Sequence, residues 1–299
     1  MDSMKVDAVE AFEQERDRLF GLAYRMTSSV MDADDVVQEA WVRFDRALGR
    51  GEDIENTAAF LTTVVTRLAM DRLRSGAKKR ETYVGPWLPE PILTDRDPAH
   101  IVELDESVRL GFLHVLDRLG PVDRAVFLLH DVFGHSYADV AAVVDRTEAN
   151  CRQIAKRARA KVRAGRKPNR AAEPTDRSLL DAVLVAAFMG DHEALEAMLA
   201  ADVTLVSDGG AHVRAARNVI TGPHRLARFI IGINNRNGSG YEWHPAWVNG
   251  GIAVAVTVDG ELDQVWEIEF VDGLVQSVHA VSNPDKLIAP RAAWNSPLD

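Results

Sequence analysis

Apolar residues recur every three to four positions through the first part of the chain. Phe12, Leu19, Phe20, Leu22, Ala23 and Met26 share one helical stripe, and Val36, Val37, Ala40, Trp41 and Phe44 repeat it. Two helices are therefore expected within residues 8–48. Asp32 or Asp34 is expected to cap the second, since a short carboxylate accepts from orphan N–H groups. Gly49 and Gly51 interrupt the pattern, and Asn56 or Thr57 can open a third helix running to about Arg74. Pro86, Pro89, Pro91 and Pro98 mark a linker. Helical spacing returns over residues 104–119, 122–130, 137–144 and 148–164, and residues 165–175 form a second, basic linker.

Beyond that linker the period changes. Helices are expected at 177–189, 192–200 and 223–233, with a short strand at 203–207. Ile252, Val254, Val256 and Val258 then alternate with Ala253, Ala255 and Thr257, and Trp266, Ile268 and Phe270 alternate with Glu267 and Glu269. Gly250-Gly251, Asp259-Gly260 and Asp272-Gly273 read as hairpin turns. The pattern predicts a curved antiparallel sheet with helices packed on one side. There is no internal repeat.

A length of 299 residues suggests two or three domains, and 46% hydrophobic with 27% charged residues excludes a disordered chain. One cysteine, Cys151, excludes an internal disulfide framework and a multi-cysteine zinc site. The charged start and the lack of a long apolar run predict a soluble, cytoplasmic protein with no secretory signal and no membrane contact. The net charge of −10 opposes nucleic-acid binding only on average, because charge is sorted along the chain. Residues 1–57 carry 14 acids and 7 bases, whereas residues 67–80 carry six bases and one acid. Residues 146–170 hold ten bases and one acid, and residues 175–299 hold 16 acids and 8 bases. Two basic islands in an acidic chain suggest two contacts with one polyanion.

The second island contains the most informative segment. Ser136 can cap a helix whose Val140 and Ala141 face inward, and Asp145-Arg146-Thr147 makes a short turn into a helix starting at Glu148. That is helix-turn-helix spacing. The second helix would offer Glu148, Asn150, Arg152, Gln153, Lys156 and Arg157 to the major groove. The plainer alternative is an α-hairpin with a solvated basic face, and the charge bias weighs against it.

With the N-terminal half included, the chain resembles RNA polymerase sigma factors of the extracytoplasmic-function group, within the sigma-70 family. Leu19-Phe20-Gly21-Leu22-Ala23-Tyr24-Arg25-Met26 and the tract Asp32-Ala33-Asp34-Asp35-Val36-Val37-Gln38-Glu39-Ala40-Trp41 look like region two. Residues 58–80 look like the helix that reads the −10 element, and residues 106–164 look like region four, which reads the −35 element. The resemblance implies that Asp34, Asp35, Gln38, Glu39 and Trp41 dock on the β′ clamp helices of core polymerase, with the β flap as a second contact. It places Arg67, Asp71, Arg72, Arg74, Lys78, Lys79 and Arg80 on −10 DNA, and the recognition-helix residues named above on −35 DNA. The loop at 50–55 is where such factors hold a flipped base, which offsets part of the unstacking cost of melting.

Trp87-Leu88-Pro89-Glu90-Pro91 and Glu148-Ala149-Asn150-Cys151-Arg152-Gln153 resemble the sub-group that carries a SnoaL-like C-terminal extension. Asp208-Gly209-Gly210 and the tail Asn283-Pro284-Asp285-Lys286-Leu287 look like marks of that extension. The sub-group usually continues with Gly-Lys after the first mark, where this chain has Ala211-His212. The implied fold is two all-α sigma domains, region two at 8–80 and a region-four helix-turn-helix at 104–165. Linkers at 81–103 and 166–175 separate these from each other and from an α+β SnoaL/nuclear-transport-factor-like cone at 176–290. Trp87, Pro89, Asp208, Gly209, Gly210 and the tail would carry regulation in cis, although Trp87 could equally just pin the linker onto a domain.

Related cones use a buried Asp or His as general base, so Asp208, His212, His224, His244 and His279 are candidates. No pair has diagnostic spacing, so no catalytic residue, metal or cofactor is expected, while a small ligand of the cone stays open. Two other readings remain: a ligand-sensing helix-turn-helix regulator with a small-molecule-binding cone, and an enzyme tethered to DNA. The acidic docking helix and the second basic helix count against the first, and the missing catalytic constellation counts against the second.

Overall fold

The structure is a computed structural model that describes residues 2–94, 108–165, 174–211, 213, 215–237 and 240–296. It divides into two compact units. One holds residues 2–81 and 115–165, the other residues 82–94, 108–114 and 174–296. Among the described residues no helix is long and apolar enough to cross a membrane.

The first unit is all helical. Helices α1 (Asp2–Thr27), α2 (Val30–Gly49) and α3 (Thr57–Glu81) pack through Leu19, Leu22, Ala23, Met26, Val37, Ala40, Leu61 and Val65, all buried. Ser28 takes φ 60 and breaks the chain between α1 and α2. The cap of α2 is Ser29, not Asp32 or Asp34: its side chain accepts from the Asp32 N–H, which places Asp32 inside the first turn. Asn56 Oδ1 accepts from Ala59 N–H and starts α3, which continues past Arg74 to Glu81.

Helix α4 (Leu110–Leu116) leads into α5 (Pro121–Phe127), a single π-helical turn (Leu128–Val132), α6 (Tyr137–Val144) and α7 (Glu148–Gly165). Ser136 caps α6 as expected, and Asp145 ends it in the left-handed region at φ 54. A short aspartate tolerates that conformation at modest cost.

The second unit comprises α8 (Pro174–Met189), α9 (His192–Ala197), β1 (Leu199–Asp208), β2 (Ile220–Thr221), α10 (Pro223–Asn237), β3 (Tyr241–Val248), β4 (Gly251–Val258), β5 (Glu261–Val271), β6 (Leu274–Val281) and α11 (Ile288–Asn295). The sheet order is β2-β1-β6-β5-β4-β3. It is mixed rather than antiparallel throughout, because β1 runs parallel to β6 with Leu205 opposite Val278. The hairpins turn at Asn249-Gly250, Asp259-Gly260 and Asp272-Gly273, every residue at positive φ, so the first lies one position earlier than the sequence suggests.

Both faces of this sheet are covered, which corrects the one-sided expectation. Helices α8, α9 and α10 bury Ile252, Val254, Val256, Ile268 and Phe270. Residues 82–94 form a strap across the other face, where Leu88 and Leu93 meet Ala253, Ala255 and Val265 together with Leu110 and α11. The proline-rich stretch is therefore packed against the sheet over its described part. Helix α11 carries the fold to Asn295, beyond the expected limit at 290.

Candidate polymerase and nucleic-acid interface

Helix α7 presents Glu148, Asn150, Arg152, Gln153, Lys156 and Arg157 on its exposed side, while Cys151, Ile154, Ala155 and Ala158 face inward. Burial pushes the Cys151 thiol above its ordinary value, so it acts as a small apolar residue of the core. Arg152 pairs with Glu148 one turn earlier at 2.6 Å, and Arg157 and Lys161 lie 4.0 and 3.5 Å from Asp123. Exposed pairs of this kind contribute little and exchange readily for phosphate.

On α2, Asp35 and Gln38 are exposed, and Asp34, Glu39 and Trp41 are half-buried. Trp41 lies edge-on to Phe12 at 5.1 Å, so it supports the helix as well as lining its surface. The structure joins two sets of residues that the sequence kept apart. Arg72 of α3 bonds Asp35 at 2.6 Å and lies 3.6 Å from Asp32. Arg74 pairs with Asp71 at 2.7 Å. Arg67 donates to the main-chain carbonyls of Val143 and Ala142. Lys78, Lys79 and Arg80 lie in the last turns of α3, with side chains outside the described residues.

In the second unit, Asp208 is fully buried and four donors saturate its carboxylate. Tyr83 Oη (2.5 Å) and Gly210 N–H (3.1 Å) donate to Oδ1. Leu88 N–H (2.8 Å) and Lys286 Nζ (2.7 Å) donate to Oδ2. Lys286 also donates to the Leu88 carbonyl and sits 3.3 Å from the centre of the Trp87 ring. Asn283 Nδ2 donates to Tyr83 Oη at 2.7 Å. Burial, followed by the neighbouring Asp208 carboxylate, raises the Tyr83 pKa far above its ordinary value, so the phenol stays a neutral donor. Gly209 and Gly210 are required here. A Cβ on Gly209 would lie 2.6 Å from the Ala215 Cβ, and one on Gly210 would lie 2.8 Å from the Asn283 amide. Pro89 is buried beside this cluster in sequence, Pro284 opens a 3-10 turn over Pro284–Lys286, Asp285 N–H is held by Asn283 Oδ1, and Leu287 is buried in the core on the strap side.

The other described candidate bases each have a separate partner. His224 pairs with Glu196 at 2.8 Å, His244 reaches Thr257 at 3.0 Å, and His279 lies 3.5 Å from Glu267. His212 lies outside the described residues. The saturated, ion-paired Asp208 has no free lone pair with which to take a proton.

The sequence matches the Sigma-70 region 2 model over residues 11–79 and the Sigma-70, region 4 model over residues 109–162. It is 37% identical to the ECF RNA polymerase sigma factor SigJ of Mycobacterium tuberculosis, over 93% of this chain and 92% of that protein. The chain belongs to the ECF RNA polymerase sigma factors. A second relative, the probable ECF RNA polymerase sigma factor SigI of the same species, is 32% identical over 94% of this chain and 95% of its own. The crystal structure of M. tuberculosis SigJ superposes with a TM-score of 0.77 at 34% identity, covering 97% of this chain and all of that one. This ECF sigma factor therefore shares the same domain order, two helical sigma regions followed by a SnoaL-like α+β domain. Sigma factors bind core RNA polymerase and promoter DNA, and this one serves transcription initiation.

Two buried clusters of this sigma factor escaped the sequence reading. Arg124 is fully buried. It donates through Nε to Leu116 O, through Nη1 to Met26 O (2.6 Å) and Ser28 Oγ (3.3 Å), and through Nη2 to Asp117 (2.5 Å). It thereby ties the end of α1 to α5. Glu267, which alternates with the apolar Trp266 and Ile268, is also fully buried. It accepts from Arg109 Nε at 2.7 Å and from Leu110 and Gly111 N–H. Burial alone would raise its pKa, but Arg109 and His279 outweigh this and hold it below the usual carboxylate range. Local spacing offers only the Asp117–Arg124 pair, because the bonds from Arg124 to Met26 and Ser28 and those from Arg109, Leu110 and Gly111 to Glu267 close over long sequence separations.

Proposed function

We propose that residues 8–80 engage core polymerase and −10 DNA, that residues 104–165 read the −35 element, and that the cone at 176–290 regulates both in cis. Asp34, Asp35, Gln38, Glu39 and Trp41 would face the β′ clamp, and an acidic helix suits a protein partner rather than DNA. Arg67, Asp71, Arg72, Arg74, Lys78, Lys79 and Arg80 would meet the −10 segment. Arg152 and Gln153 would read −35 base edges, flanked by Lys156 and Arg157 on phosphates. The factor acts by binding, and the saturated Asp208 supports that over catalysis.

The observation that carries the regulatory reading is the buried Asp208–Lys286 pair. It holds the strap through Tyr83, Trp87 and Leu88, so the segment that follows region two is ordered by the cone. Run-off transcription with core polymerase would compare the full chain, Lys286→Met and a chain ending after Arg170. Altered promoter output from both variants is expected. Identical output from all three would remove the regulatory role. In the same assay Asp35→Lys with Glu39→Lys should abolish core binding while helicity persists. Arg152→Ala should relax −35 specificity by about 1–3 kcal/mol.

A further inference from the structure

The cone carries a third basic island. From Gly209 to Tyr241 the sequence holds Arg214, Arg217, Arg225, Arg228 and Arg236 and not one Asp or Glu, although residues 175–299 as a whole hold 16 acids and 8 bases. On α10, Arg225, Arg228, Phe229, Gly232, Ile233 and Arg236 follow i, i+3, i+4, i+7, i+8, i+11 spacing and line one shallow groove. The groove runs between α10 and the edge strand β2, floored by Val219 and Ile220. Six exposed arginines elsewhere, Arg43, Arg50, Arg72, Arg74, Arg152 and Arg177, each pair with a carboxylate. Among the described residues Arg217, Arg225, Arg228 and Arg236 are exposed and make no ion pair. The nearby acid Glu196 is engaged by His224.

We infer that this groove docks the phosphate backbone of promoter duplex flanking the element that α7 reads. The inference rests on α7 engaging DNA. Three guanidinium groups spread over about 16 Å of helix match several successive phosphates of one strand. The cations are all arginine, whose planar donor pairs suit phosphate oxygens better than an ammonium does. Residues 166–173 join α7 to α8, and a chain of that length spans at most about 30 Å, or some nine base pairs. The cone is thus tethered through one chain to any DNA that α7 holds. The contact would add affinity without reading sequence, because phosphate contacts position a protein and base contacts specify.

The test uses holoenzyme assembled from core polymerase and the full chain. Its probes are promoter duplexes selected by that holoenzyme from a random pool, with upstream flanks either kept or trimmed to the −35 element. The variant is Arg225→Ala/Arg228→Ala/Arg236→Ala, checked by circular dichroism. On the long probe its log–log salt slope should be shallower than the parent's by about three, and its low-salt affinity should drop at least about tenfold. On the trimmed probe the two proteins should bind alike. Equal slopes and affinities on the long probe would overturn the inference. Unchanged DNA binding with weakened core-polymerase binding would also overturn it and assign the groove to an acidic protein surface. Arg152→Ala, run alongside, separates the two ideas: if sequence preference survives it, the α7 reading fails, whereas flank dependence reports on the cone alone.

Discussion

Arg67 donates Nε to the carbonyl of Val143 at 3.0 Å, and its Nη2 reaches Ala142 O at 3.1 Å. The acceptors are the last carbonyls of α6, the negative end of the first helix of the helix-turn-helix. A side chain proposed to meet −10 DNA is thus occupied by the other reading region, and promoter engagement by Arg67 requires that bond to be released. Arg67→Ala should remove about 1 kcal/mol from this contact and speed amide exchange at Asp145 and Arg146 severalfold in the free protein. Unchanged exchange there would show that the contact contributes nothing to the unit.

Arg124→Met should be far more damaging. The substitution preserves bulk but leaves the largely buried Asp117 carboxylate without its guanidinium and the Met26 carbonyl without its donor. A loss of about 3–5 kcal/mol is expected in urea unfolding of the helical unit. Adding Asp117→Asn should recover part of it, since no charge then stays buried alone. A single-variant loss below about 1 kcal/mol would mean water replaces the guanidinium.

The Glu267–Arg109 pair makes the stability of the second unit depend on acid. The folded pKa of Glu267 is depressed below its unfolded value, so its contribution is present above the unfolded value of about 4.3 and fades as pH falls through the folded value. Glu267→Gln should therefore be strongly destabilising near neutrality, by about 3 kcal/mol or more, and less so as pH falls towards 3. Parallel unfolding curves for parent and variant across that range would sink the assignment.

Two glycines at positive φ give a controlled comparison. Gly51 has φ 73 with nothing within 4 Å of a built Cβ, whereas Gly210 has φ 60 with the Asn283 amide 2.8 Å away. Gly51→Ala should cost only the left-handed strain, about 1 kcal/mol. Gly210→Ala should cost about 1–3 kcal/mol more, because Asn283 must also move and weaken its bond to Tyr83. Equal losses in thermal unfolding would show that Asn283 yields freely.

Short-range rules made part of the fold legible in the amino-acid order alone. Ser136, the Asp145 turn and the inward Val140 and Ala141 specify α6 and α7 within thirty residues, so the recognition helix and its exposed side were readable from capping, spacing and charge. The turns at Asp259-Gly260 and Asp272-Gly273 were readable for the same reason. The two sheet faces were not. Glu267 alternates with Trp266 and Ile268 as a solvated residue would, and Ala253 and Ala255 resemble an unremarkable outer face. The strap brings Leu88 and Leu93 over that face, and Arg109 arrives to neutralise Glu267. Asp208 meets Tyr83 across 125 positions and Lys286 across 78. Periodicity reports whether a position can be covered by its own element's neighbours. Which distant segment covers it, and whether a buried charge finds its counter-charge, is decided only when the chain closes on itself.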